Sequence, residues 1–140
     1  MSDTVSTLKL THVGALKMLA AAVKKSEDMG VPQCIAIVDE SANLLAFSRM
    51  DGAKVLSIET ATAKARTAAS SKGPTGKTPP HAENLMGLAT GGRFTNLKGG
   101  LPVIVDGKCV GGIGVGSGTG DQDVEVANAA LAAVKGAQTF

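Results

Sequence analysis

The sequence has no tryptophan, no tyrosine and only three phenylalanines among its 140 residues. Surfaces that stack the bases of a single-stranded nucleic acid are built from aromatic faces, so this scarcity argues against that function. Charge of one sign is lacking too. Fourteen basic and twelve acidic side chains leave a net +2 spread evenly along the chain, too little for a phosphate-tracking surface. No apolar run approaches the length of about 18 residues that marks a membrane span. The opening MSDTVSTLKL has neither the basic nor the apolar region of a secretory signal. These absences predict a soluble, cytoplasmic protein with neither a nucleic-acid nor a membrane partner. Cysteine is scarce as well. Cys34 and Cys109 sit in separate apolar runs without CxxC spacing and read as buried free thiols of a reducing compartment, a disulfide between them being left open.

What is present is a 44% hydrophobic composition made of Ala, Val, Leu, Ile and Met, which suits close packing of helices on a sheet. The length fits one domain over residues 1–140. The organising stretch is Gly99 to Gly118, where Leu101–Val105 and Cys109–Val115 flank Asp106-Gly107. Asp-Gly between two β-branched runs is a strong hairpin signal, because a type I′ turn needs φ > 0 at both central residues. Gly111, Gly112, Gly114 and Gly116 in the second run cannot fill a core. Their spacing implies the close approach of a helix, another backbone or a ligand. Gly112-Ile-Gly114-Val-Gly116 is similar to a dinucleotide fingerprint, but it lies within a strand reached by a hairpin and not at a strand-to-helix turn.

Upstream, Thr11 caps a helix running to about Met29, with His12, Ala15, Leu16, Leu19, Ala20 and Val23 on its apolar face and Gly30 and Pro32 ending it. Gln33–Val38 and Asn43–Met50 read as a hairpin. Val55 to about Lys72 reads as a second helix with a narrow alanine face. Residues Gly73–Gly100 read as a long loop, either a crossover covering the sheet or a lid, with one helical turn near His81–Leu88 and a strand near Arg93–Asn96. Asp121 opens the last helix, whose buried stripe is Ala127, Ala130, Leu131 and Val134. The order α-β-β-α-loop-(β)-β-β-α is that of an α+β domain, an antiparallel sheet of about five strands flanked by helices.

No Walker, HExxH or GxSxG pattern occurs, and two separated histidines argue against a multi-histidine metal site. His12 reads as a core or interface histidine, the alternative being a metal ligand; His81 reads as exposed or as closing a pocket. Arg49-Met50-Asp51-Gly52 and Lys64-Ala65-Arg66-Thr67 set charges beside small residues, where an anionic ligand could be held.

The motifs Leu10-Thr11, Gly30-Val31-Pro32, Ala36–Asp39, Asn43-Leu44, Arg49–Ala53, Ser57-Ile58, Lys64-Ala65, Thr67-Ala68 and Pro74-Thr75 occur in order with Gly99–Pro102, Asp106-Gly107, Val110–Val115 and Gln122-Asp123. In this order and spacing the chain resembles the GlcG/HbpS haem-binding family, which includes the C-terminal domain of PduO-type proteins. The resemblance implies a five-stranded antiparallel sheet of profilin-like architecture and a homo-oligomer, from dimer to octamer. It implies haem binding in some members, with sensing, storage or degradation roles, and a place in catabolic operons for others. By similarity Thr75 matches a threonine near the haem site, and the glycine-rich strand with Gly112 and Gly114, together with Gly99 and Gly100, lines the pocket or subunit contact. His12 and His81 are the candidate iron ligands.

Two functions follow as expectations. One is a haem- or tetrapyrrole-binding oligomer. The other is a small cofactor-free catabolic enzyme, an isomerase, lyase or hydratase acting on a carboxylated metabolite. There Asp51, Asp123 or His81 would move the proton, and Arg49 or Lys64 would hold the carboxylate. A structural subunit with no small ligand is the third reading.

Overall fold

The computed structural model describes all 140 residues. Helix α1 spans His12–Met29, strands β1 and β2 Cys34–Asp39 and Leu44–Arg49, and helix α2 Ser57–Ser71; helix α3 spans Pro80–Ala89, strands β3 and β4 Gly100–Val105 and Lys108–Gly116, and helix α4 Gly120–Ala132. The caps follow from local chemistry. The Thr11 hydroxyl accepts from the Gly14 N–H at 3.0 Å, and Gly30 ends α1 at φ 70°, a conformation that costs glycine little. Thr119 and Gln122 form a reciprocal capping box at the start of α4. Asp106 and Gly107 have φ of 52° and 72°, the expected two-residue turn between β3 and β4.

The sheet is antiparallel throughout, in the order β2-β1-β4-β3. It has four strands and not five. The strand expected near Arg93–Asn96 does not form, because hydroxyl groups take up its backbone donors: the Phe94 N–H goes to Thr90 Oγ1 and the Thr95 N–H to Thr67 Oγ1. The long loop is also more ordered than expected. Ten of its residues form α3, with Pro80 at the first helical position, where a missing N–H costs nothing.

Both faces of the sheet are covered, giving three layers. On one face Ile35, Ile37, Leu101, Val103, Ile113 and Val115 pack against Ala15, Met18 and Ala22 of α1 and Val126, Ala130 and Leu131 of α4. On the other face Cys34, Ala36 and Val38 meet Ala61, Ala65 and Ala69 of α2. Gly112, Gly114 and Gly116 of β4 belong to this second interface, whereas Gly111 lies against Val38 and Leu10. A Cβ at Gly112 would lie 2.5 Å from the Ala65 carbonyl oxygen, and one at Gly114 would collide with the Ala61 carbonyl oxygen. The helix backbone itself makes the close approach. His12, expected on the apolar face of α1, is exposed, as are Leu16 and Ala20. The buried stripe is Ala15, Met18, Ala22 and Ser26, rotated away from the predicted one.

Candidate functional site

Among the predicted site residues, Lys64 and Asp123 come together. Lys64 on α2 reaches past Gly99 toward the end of β4, where its ammonium donates to the Val115 carbonyl oxygen at 2.7 Å and to Asp123 Oδ2 at 3.0 Å. Asp123, in the first turn of α4, accepts at Oδ1 from Gln33 Nε2 at 2.8 Å and from the Gly118 N–H at 3.0 Å. Gln33 in turn accepts from Ser26 Oγ at 2.6 Å, which fixes the amide so that its NH₂ faces the carboxylate. Lys64 and Asp123 are 4% and 2% exposed. A buried ion pair persists only where further hydrogen bonds satisfy its remaining groups, and here the Val115 carbonyl oxygen, the Gln33 amide and the Gly118 N–H do so. The backbone closes over it, since a Cβ at Gly99 would lie 2.8 Å from Asp123 Cβ and 2.9 Å from Lys64 Nζ. This cluster ties α1, β1, α2, β4 and α4 together.

Thr75 is buried beside it. Its hydroxyl donates to the Leu97 carbonyl oxygen at 2.6 Å and accepts from the Gly100 N–H at 2.9 Å, while its own N–H donates to the Gly100 carbonyl oxygen. Thr75 therefore docks the segment after α2 onto the start of β3, and α2 lies over Gly100, Gly112 and Gly114. Arg49 and Asp51 are exposed at the end of β2, and no ion pair or side-chain hydrogen bond joins them to Lys64 or Asp123. His81 is exposed on α3.

Both histidines stand in the first turn of a helix with exposed apolar neighbours. Val13 and Leu16, 52% and 55% exposed, accompany His12 on α1; Leu85 and Leu88, 66% and 80% exposed, follow His81 at one and two turns on α3. No residue of α3 is buried. The opposite side of α3, with α2 and the β1–β2 turn, walls an open groove of about 660 Å³, and Arg66, Ser70, Thr78, Met86, Arg93 and Phe94 are among its lining.

Ser26, Gln33, Arg93 and Phe94 were not expected in these places. Ser26 could have been found, since it continues the Ala15, Met18, Ala22 stripe at helical spacing. Gln33 is a polar residue opening an apolar run. Arg93 and Phe94 fall in the stretch read as a strand.

The family model described as haem degrading protein HbpS-like matches residues 10–132. Protein GlcG of Escherichia coli K12 is 36% identical over 107 residues, covering 76% of this chain and 80% of GlcG. The crystal structure of a PduOC:haem complex superposes with a TM-score of 0.85 at 27% identity, covering 95% of this chain and 99% of that one. A double mutant of Streptomyces reticuli HbpS gives 0.84 at 33% identity, covering 96% and 92%.

Proposed function

The chain belongs to the HbpS-like family, and on that premise we propose that it binds haem or a related tetrapyrrole at its surface through an exposed imidazole. The observation that carries this reading is the pair of exposed histidines, each set among exposed aliphatic side chains on a helix face. Haem iron takes an axial imidazole, and the porphyrin plane needs apolar contact around that ligand. Those are the groups His12 with Val13 and Leu16, and His81 with Leu85 and Leu88, present outward. No cluster of three or more histidine, cysteine or acidic side chains competes for a bare metal ion. The donor set thus fits a cofactor that brings its own four equatorial nitrogens. When bound, haem supplies iron redox and ligand-exchange chemistry; the protein's part is to hold the ring, supply the imidazole and shield one face from water. A homo-oligomer completes the reading, because a second subunit would cover the other porphyrin face and the exposed leucines.

Titration of the purified chain with haemin, followed by absorbance, tests this. A saturable, stoichiometric Soret shift is expected, altered in His12→Ala or in His81→Ala, with light scattering reporting subunit number on the same sample. A flat titration at equimolar haemin, or an unchanged Soret band in the double His12→Ala/His81→Ala variant, would overturn the proposal. The chain has no helix long and apolar enough to cross a membrane.

A further inference from the structure

The groove between α2 and α3 carries chemistry that the haem reading does not use. Two of the chain's three arginines, Arg66 and Arg93, line it, and its lining contains no aspartate or glutamate. Neither guanidinium is in an ion pair, since all five ion pairs of the chain are made by lysines. Arg93 has one long hydrogen bond, from Nε to the Thr90 carbonyl oxygen at 3.5 Å, and the Arg66 side chain has none. Guanidinium groups present planar forks of donors that match a carboxylate. Two of them facing one cavity without a counter-charge make a field that an anion would relieve.

The rest of the wall sets the shape of that anion. Met86, Ala89 and Phe94 give the α3 side an apolar surface, while Ser70 adds a hydroxyl from α2. The floor is firm. Thr67 Oγ1 holds the Thr95 N–H at 3.0 Å, and the Asn96 side chain bridges Thr78 and Glu83. Across the groove, Asp39 Oδ1 accepts from the Ser41 and Asn43 N–H groups and holds Ala42 at φ 63°, an uncommon conformation for alanine, so the β1–β2 turn projects into the rim. The volume of about 660 Å³ is within the range of small-molecule sites.

We propose that this groove is a binding site for a small organic carboxylate with an apolar body, its carboxylate held by Arg66 and Arg93 and its body lying on Met86 and Phe94. The site is separate from the outward histidine faces and does not depend on haem being bound. It also gives a place to the Lys64–Thr67 motif, whose arginine turns outward into the groove while its lysine turns inward.

Benzoate is the probe, with benzamide as its neutral counterpart of the same shape, in calorimetric titrations of the full chain. Saturable binding of benzoate is expected, with benzamide at least about tenfold weaker, because a charge-assisted bidentate pair is lost. Arg66→Gln and Arg93→Gln should each weaken benzoate by about 10- to 100-fold, and Arg66→Lys should restore only part of the affinity. Lys135→Gln, an equal change of net charge elsewhere, should leave binding unchanged, and far-UV circular dichroism checks that each variant is folded. The proposal is overturned if benzoate does not saturate up to about 10 mM. It is equally overturned if benzamide binds as well as benzoate, or if the folded Arg66→Gln/Arg93→Gln variant binds like the wild type.

Discussion

Replacing Asp123 by alanine removes the one carboxylate facing the buried Lys64 ammonium. Three donors lose their acceptor at once: Lys64 Nζ, Gln33 Nε2 and the Gly118 N–H. Lys64 keeps a single partner, the Val115 carbonyl oxygen. Breaking a buried pair by deleting one member costs about 3–5 kcal/mol, because the remaining charge has neither water nor counter-ion. We expect about 4 kcal/mol for Asp123→Ala, since the ammonium is also walled off by the Gly99 backbone. Lys64→Met should cost less, about 2 kcal/mol, because Asp123 retains two N–H donors and the Met chain follows the path of the lysine stem. The double variant Lys64→Met/Asp123→Asn should then be more stable than Asp123→Ala alone. Without tryptophan or tyrosine the chain gives little fluorescence signal, so urea unfolding is followed by far-UV circular dichroism. On heating, a loss of about 4 kcal/mol in a chain of this size lowers Tm by roughly 10–16 °C. If Asp123→Ala costs under about 1 kcal/mol, or the double variant is no more stable than Asp123→Ala alone, Lys64 and Asp123 are not a coupled junction.

Two further perturbations probe the packing and the thiols. Gly114→Ala should destabilise by about 3 kcal/mol or more, since a methyl there meets the backbone of α2, whereas Gly87→Ala on α3, with open space around it, should stabilise by up to about 1 kcal/mol; opposite signs in urea midpoints check both, and equal effects would refute the packing argument. Burial pushes the thiols of Cys34 and Cys109 above the ordinary value of 9.0, Arg49 opposing this at Cys34 and a backbone hydrogen bond of Gly111, with the Lys72 charge, at Cys109. The folded state therefore favours the neutral thiols: their contribution to stability is intact below about pH 9 and is lost as pH rises through the raised folded values, so denaturation midpoints should fall on the alkaline side, and a Cys34→Ala/Cys109→Ala variant should show a weaker fall. Alkylation by iodoacetamide at pH 7.5 should be slow in the native chain and fast in urea, which a mass spectrum reads directly.

Where local chemistry decides the structure, the sequence was readable. Thr11, Gly30 and Asp106-Gly107 act through their own backbone geometry, and each ends or turns an element at the expected place. The glycine run of β4 signalled close approach, and α2 is what approaches, because its alanine face lets helix carbonyls reach the strand. Lys64 and Asp123 were both named from their chemistry, but their meeting depends on three long-range pairings that no local pattern encodes. Misreadings arose where one residue type serves two purposes. Pro79-Pro80 and the glycines of 87–92 resemble loop punctuation, yet Pro80 begins a helix. Threonines 67 and 90 bond to the following segment as a strand partner would, and so replace the expected fifth strand with hydroxyl contacts.

The packing that makes the fold legible also constrains where function can lie. A ligand held inside a three-layer domain needs a gap between helix and sheet. On the α2 side that gap is closed by backbone contact at Gly100, Gly112 and Gly114, and on the α1/α4 side by fully buried aliphatic side chains. The most polar part of the interior, around Lys64 and Asp123, is already satisfied by its own hydrogen bonds, so opening it to a ligand would cost the energy that holds five elements together. Binding must then occur on outer surfaces. The outer surfaces that carry unspent chemistry are the histidine faces of α1 and α3 and the arginine groove between α2 and α3. Helix α3 separates two of these. Because none of its residues is buried, it can be repositioned at little cost to the core. Occupation of its inner face by a carboxylate should therefore alter haem affinity at its outer face if His81 is the iron ligand, and leave it unchanged if His12 is. A haemin titration with and without saturating benzoate separates the two: a shift in midpoint assigns the iron to α3, and coincident curves assign it to α1.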